Sequence, residues 1–239
     1  MKIPTLHTWP RSPRAAIALQ ERLAERVRLA PVRGEVRLFG GADVAFSPDG
    51  LQVIAGVVVW CLRTGELVEQ RLATRACRFP YVPGLLSFRE LPAVLAALRR
   101  LRTRPDVVLC DAQGLAHPRR FGLACHLGLW LGIPTVGCAK SRLCGEATPP
   151  AHTQGACTAI HDGDRRVGSL LRTRAGVKPL WVSPGHLCDF ESAERLTMKA
   201  TTRYRLPEPT RLAHRLVTRA RQDLKAGASP SGRPRTEMR

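Results

Sequence analysis

Two joints in the first third of the chain do most to fix its fold. Ser47-Pro48-Asp49-Gly50 separates apolar runs at about 36–46 and 51–62, and Thr64-Gly65 separates the second run from a third at 66–77. Joints this short hold turn residues and leave no room for a crossover, so the three runs predict strands joined as antiparallel hairpins. The period then changes. Residues 87–101 carry Leu91, Val94, Leu95 and Leu98 at helical spacing, 105–111 is a short apolar strand, 119–131 reads as a helix and 133–138 as a strand. Strand–helix–strand alternation needs long crossovers, and long crossovers impose parallel pairing.

Three antiparallel strands followed by α/β units predict an α/β fold, a mixed sheet flanked by helices in the ribonuclease H-like layout, although other α+β sheets begin the same way. Ser12-Pro13 marks the start of an earlier helix, with Ala16, Leu19, Leu23 and Val27 as its stripe. The Pro-, Gly-, Thr- and His-rich stretch 141–164 predicts an irregular insertion. Strands are expected at 166–173 and 179–182 and helices at 191–201 and 210–224. This gives an N-terminal extension at 1–11, a main domain at 12–205, a C-terminal helix at 206–225 and a basic, disordered tail at 226–239.

Composition narrows the partner. The 239 residues carry 38 Lys and Arg against 19 Asp and Glu, a formal net charge of +19. Such an excess attracts a polyanion: nucleic acid first, an anionic membrane surface second, with a merely solvated arginine-rich surface as the alternative. Eight cysteines show neither C-x-x-C pairs nor zinc-ligand spacing. That usage suits a reducing cytosol better than a disulfide scaffold. The N-terminus lacks the apolar core of a signal peptide, and no apolar run approaches the ~20 residues that cross a bilayer. A cytoplasmic protein without a membrane partner is expected, and no obligate protein partner is evident.

Two acids stand out because their surroundings are apolar. Asp43 interrupts Leu38-Phe39-Gly40-Gly41-Ala42-Asp43-Val44-Ala45-Phe46, and Asp111 ends Val107-Val108-Leu109-Cys110. A buried carboxylate needs a partner, a helix end or a cation. Two of them on neighbouring strands make a hard-oxygen site for Mg²⁺, with Mn²⁺ as a substitute; the alternative is a pair of ordinary turn or cap residues. Glu90 closes Ser87-Phe88-Arg89-Glu90, which reads as a capping box. His186 follows the Leu180-Trp181-Val182 run as either a structural histidine or a ligand. Lys140 ends the 133–138 strand, facing a phosphate or merely solvent.

Four segments carry a resemblance. They are Phe79-Pro80-Tyr81-Val82-Pro83-Gly84-Leu85-Leu86-Ser87-Phe88-Arg89-Glu90, then Asp111-Ala112-Gln113-Gly114-Leu115-Ala116-His117-Pro118-Arg119-Arg120, then Gly132-Ile133-Pro134-Thr135-Val136-Gly137-Cys138-Ala139-Lys140-Ser141, and Trp181-Val182-Ser183-Pro184-Gly185-His186. In kind and order they resemble the endonuclease V family, the deoxyinosine-directed nucleases, over roughly residues 12–205. The resemblance implies a ribonuclease H-like fold and a DNA repair endonuclease that cuts the second phosphodiester bond 3′ to a deaminated base, leaving a 3′-hydroxyl and a 5′-phosphate. Inosine-containing RNA is the alternative substrate, and a non-catalytic nucleic-acid binder the alternative role.

By position, the resemblance implies a catalytic cluster of Asp43, Glu90, Asp111, Lys140 and His186, with Asp43 and Asp111 as the Mg²⁺ ligands. Pro80, Tyr81, Val82 and Pro83 match a wedge that enters the duplex beside the lesion. Gly84, Leu85 and Gly114 match the lining of a pocket for the extruded base, and His117 and Arg119 further nucleic-acid contacts. The physics agrees. A duplex hides the base edge that distinguishes hypoxanthine, so the base must leave the stack, and its weak pairing lowers the cost. A tyrosine flanked by prolines is a stiff filler for the gap. The chain departs from the family pattern at Ala112, where Gly is usual, at Gln113, where His or Asn is frequent, and at Asp189, where Ser is frequent; Asp189 is expected to cap the helix that follows it.

Overall fold

The computed structural model describes residues 1–226; the tail expected at 226–239 lies outside the described residues apart from Ala226. Helix α1 (Pro13–Ala24) starts as its sequence requires, with the Ser12 hydroxyl accepting from the Ala15 amide at 3.3 Å and Pro13 in the first turn. Strands β1 (Leu38–Phe46), β2 (Gln52–Cys61) and β3 (Leu67–Ala76) then form the antiparallel meander that the two short joints dictate. Helix α2 (Leu86–Arg99) leads to β4 (Val107–Cys110), and α3 (Leu123–Leu131) to β5 (Thr135–Ala139). β4 pairs parallel with β1, and β5 parallel with β4.

A second antiparallel group, β6 (Cys157–Asp162), β7 (Arg165–Leu171) and β8 (Leu180–Pro184), completes an eight-stranded mixed sheet of order β3-β2-β1-β4-β5-β8-β7-β6. Helices α4 (Phe190–Lys199) and α5 (Glu208–Lys225) close the described chain. This is the mixed α/β layout expected from the sequence. Among the described residues no helix is long and apolar enough to cross a membrane.

Alternation along the strands sorts the two faces. Ala42, Val108 and Cys110 point into a core shared with α2 and α3 through Leu91, Leu95, Leu123 and Leu127. Phe39, Leu109, Val136 and Cys138 point the other way, toward Ala193 and Leu196 of α4. α5 crosses β1 and β2 on that second face, and two glycines admit it. A Cβ at Gly41 would lie 2.1 Å from the Pro209 carbonyl oxygen, and one at Gly56 2.7 Å from a Val217 methyl. The missing side chains let a helix sit directly on the sheet.

Two sequence expectations need correction. The stretch 141–164 is not wholly irregular, because it contains β6. That strand lies at the sheet edge and buries only Ile160 fully, so it lacks the apolar alternation that marks a strand. Its signal was the Gly163-Asp164 turn, with Gly163 at φ +61°, which joins it to β7. The capping box at Ser87 does not form either. α2 begins one residue earlier, and the Ser87 hydroxyl lies 3.0 Å from Nδ1 of the buried His126. Glu90 is therefore released from any capping role.

Gly41→Ala should lower stability by about 1–3 kcal/mol, because the added methyl meets backbone rather than a movable side chain. A denaturant melt reads this directly, and an unchanged midpoint would contradict the close seating of α5.

Candidate functional site

The register of β1 on β4 builds the site. Ala42 is opposite Cys110, so the next residues, Asp43 and Asp111, stand side by side on strands about 4.8 Å apart. Both continue the row of Phe39 and Leu109, the face that carries α4 and α5. Lys140 follows the last residue of β5 and continues the row of Val136 and Cys138 on that same face, and its ammonium donates to Asp111 Oδ2. The Lys140 carbonyl accepts from Arg205 Nη2 at 3.3 Å, which ties down the lysine's backbone.

The fourth group comes from α5. His214 Nδ1 lies 2.8 Å from Asp43 Oδ2, while Asp43 Oδ1 accepts from the Val44 amide at 2.8 Å. One ligand atom each from Asp43, Asp111 and His214 lies within 4.8 Å of the others. Glu90, in α2, is buried behind them.

Charge crowding dominates this end of the sheet. Burial, then the Asp111 carboxylate, pushes Asp43 above the ordinary carboxylate range, with the His214 hydrogen bond opposing. Burial, then Asp43, raises Glu90 to about 8. Carboxylates so raised are short of positive charge. Two hard oxygen donors and an imidazole within reach of one another fit a divalent cation, which would relieve that shortage.

His186 is not part of this cluster. β8 runs antiparallel to β5, so the residue that follows β8 arrives at the start of β5, not its end. The His186 carbonyl accepts from the Thr135 amide at 3.0 Å, and its Nδ1 accepts from the Arg28 amide at 3.2 Å. The length of β5, about 13 Å from Thr135 to Ala139, separates it from Lys140. The histidine that does reach the acids, His214, escaped the sequence reading. It sits one position past Ala213, beside the buried stripe Ala213, Val217 and Ala220, on a face otherwise rich in arginine. Its signal was indirect: Gly41 and Gly56 in strands that otherwise carry large residues invite a helix onto Asp43.

The matched Pro80–Glu90 segment enters α2 by a loop. Pro80, Tyr81 and Pro83 are exposed, Tyr81 at 71% of its surface, while Val82 packs partly against the cluster of Leu19, Phe79 and Phe88. Gly84 turns the chain at φ +78°, a conformation suited to glycine. Leu85 is buried at 1% exposure in the core beneath the loop. His117 and Arg119 also lie beneath it: His117 Nε2 is 2.9 Å and Arg119 Nη2 3.0 Å from the Gly84 carbonyl. Gly114 is buried where a Cβ would come 2.2 Å from the Pro184 carbonyl, and its amide donates to the Ser183 hydroxyl at 2.8 Å. Neighbouring Gln113 donates to the Ser141 carbonyl at 2.9 Å. Asp189 caps α4, accepting from the Ser192 amide at 2.8 Å, as expected.

Known proteins share this arrangement of elements. The sequence model of the endonuclease V family matches residues 21–215, a span that holds Asp43, Glu90, Asp111, Lys140 and His214. Endonuclease V of Roseiflexus sp. (strain RS-1) is 46% identical over 213 residues, covering 89% of this chain and 95% of that protein. The crystal structure of endonuclease V from Streptomyces avermitilis superposes with a TM-score of 0.86 at 41% identity, covering 91% of this chain and 96% of that one. Endonuclease V from Ciona intestinalis, solved in complex with a 24mer DNA containing an inosine followed by a ribo-adenosine, shares the fold at a TM-score of 0.77 and 23% identity, covering 88% and 98%. The matched span, the identities over most of both chains and the common sheet lead to one conclusion: this chain belongs to the endonuclease V family.

Proposed function

We propose that this protein is a metal-dependent DNA repair endonuclease that recognises deaminated bases, chiefly deoxyinosine, and hydrolyses the second phosphodiester bond 3′ to the lesion, leaving a 3′-hydroxyl and a 5′-phosphate. The observation that carries this reading is the convergence of Asp43, Asp111, His214 and Lys140 on one face of the sheet. Family membership and the matched Pro80–Glu90 segment support the choice of substrate, and the net charge of +19 suits a phosphate backbone.

Asp43, Asp111 and His214 are the residues that would hold the divalent ion, Mg²⁺ in this proposal, with Mn²⁺ able to replace it. When bound, that ion supplies charge stabilisation to the phosphodiester and a more acidic water. The chain's own groups do the rest. Asp111 holds the Lys140 ammonium at the rim of the cluster, where it can meet a phosphate oxygen. His214 orients the Asp43 carboxylate through Oδ2, and the Val44 amide holds the other oxygen. Without the ion, Glu90 retains a proton at neutral pH behind both acids. Tyr81 projects from a loop whose base is buried, so it can fill the space left by a displaced base without a large ordering cost.

Two outcomes follow. On a deoxyinosine duplex with Mg²⁺, Asp43→Ala and His214→Ala should each lose at least about 100-fold in nicking rate, since removing a ligand forfeits several kcal/mol of transition-state stabilisation. His186→Gln should stay within a few-fold of wild type. Matched DNA and RNA oligonucleotides in the same assay read the sugar preference, and faster cutting of inosine RNA would overturn the DNA assignment.

The second outcome concerns stability. Glu90 is protonated in the fold up to about pH 8 but ionised in the unfolded chain above its ordinary value of 4.5. The folded state therefore binds the extra proton, and the metal-free protein should lose stability as pH rises through that window, by up to about 1.4 kcal/mol per pH unit. Glu90→Gln should flatten the slope, and saturating Mn²⁺ should flatten it in the wild type. Parallel melting curves at pH 5 and pH 8 test this; equal slopes for both proteins without metal would refute it.

A further inference from the structure

One backbone oxygen of the loop that presents Tyr81 gathers three side chains, and one of them belongs to a residue outside every matched segment. The Gly84 carbonyl receives three side chains: Gln20 Nε2 at 3.0 Å, His117 Nε2 at 2.9 Å and Arg119 Nη2 at 3.0 Å. Three donors on one backbone oxygen is more than its two lone pairs ordinarily take. Gln20 comes from α1, and it is buried at 1% exposure between the apolar positions Ala16, Leu19 and Leu23. A buried amide is costly unless its hydrogen bonds are made, and a leucine would serve packing alone.

Every polar atom of Gln20 is used. Its Nε2 donates to the Phe121 carbonyl at 2.8 Å as well as to Gly84, and its Oε1 accepts from Arg119 Nε. That pattern fixes the amide's orientation, since the flipped form would turn an oxygen toward two carbonyls. The histidine is fixed as well. His117 Nδ1 accepts from the Arg119 amide at 3.1 Å, so its proton sits on Nε2 and points at Gly84. Burial, then Arg119, lowers His117 to about 4, which keeps the ring neutral in that role.

Two loops thus meet on one NH₂ group: the Tyr81 loop through Gly84, and the segment between Asp111 and α3 through Phe121. We propose that Gln20 is a positioning residue that sets the separation of these two loops and thereby the enzyme's ability to take a base out of a duplex. The proposal rests on the repair reading above, in which a base displaced beside Tyr81 enters the space between them. Its chemistry is geometric. Gln20 touches no reacting group, but its amide ties the Tyr81 loop to the neighbouring segment, so that the loop does not yield when Tyr81 presses into a base stack.

The test is Gln20→Met, which keeps the buried volume and removes the donors, with Gln20→Asn as the partial restoration. Kinetics compare deoxyinosine in a duplex with the same deoxyinosine strand unpaired, where no base need leave a stack. Gln20→Met should lower kcat/KM on the duplex about tenfold, mainly through KM, and change the unpaired substrate less than twofold, with Mn²⁺ affinity unaltered. Amide exchange, followed by mass spectrometry on the free protein, should show residues 79–86 and 112–122 opening together in Gln20→Met while β4 stays protected. Gln20→Asn should fall between the two. Equal losses on both substrates, no loss on either, or unchanged exchange in both loops would overturn the proposal. A wild type inert toward deoxyinosine in both forms would overturn the repair reading and the duplex role with it, whereas coupled exchange in that case would leave Gln20 standing as the link between the loops.

Discussion

Like charge at one end of a sheet is the constraint on which this structure depends. The parallel register of β1 on β4 places Asp43 beside Asp111, and Glu90 arrives behind them from α2. Three acids so placed, two of them raised by burial and by neighbouring carboxylates, are unfavourable unless hydrogen-bond donors or cations are brought to them. The chain brings two of its own groups, the Lys140 ammonium onto Asp111 and the His214 ring onto Asp43. A divalent ion held by Asp43, Asp111 and His214 would supply the remaining compensation. The fold serves that arrangement. Gly41 and Gly56 omit side chains so that α5 can carry His214 across β1, and Arg205 holds the backbone at Lys140.

The proposed recognition side is built on hydrogen bonds rather than on crowded acids. Tyr81 is exposed, yet one and three residues on, Val82 and Gly84 tie the loop to the body, one through apolar packing and one through its carbonyl. In the proposed role of a wedge, Tyr81 works only if it does not yield when it meets a base pair. Stiffness at Gly84 would supply that, through a buried glutamine, a neutral histidine and an arginine that converge on its carbonyl oxygen.

How much of this could be read from the residues depended on the range of the interactions. The meander was legible because Ser47–Gly50 and Thr64–Gly65 are local turns, and the parallel strands because their crossovers are long. Asp43 and Asp111 stood out because each breaks an apolar strand. Glu90 looked like a cap, since Ser87-x-x-Glu90 has the right spacing; only the placement of α2 against α3 shows Ser87 engaged with His126 instead. His186 was assigned to the cluster from a motif, but strand direction decides which end of a sheet a residue reaches, and β8 runs against β5. His214 and Gln20 were invisible for a shared reason. Each lies on an ordinary helix, and its role comes from where that helix docks, a long-range fact with no local signature.

The central claim, that Asp43, Asp111 and His214 together form the metal centre, is tested most directly by soaking crystals in Mn²⁺ and recording anomalous scattering at a wavelength where manganese contributes strongly. A peak is expected among Asp43, Asp111 and His214, lost in Asp43→Asn crystals treated in the same way. A map with no peak there, or with manganese at His186 instead, would contradict it.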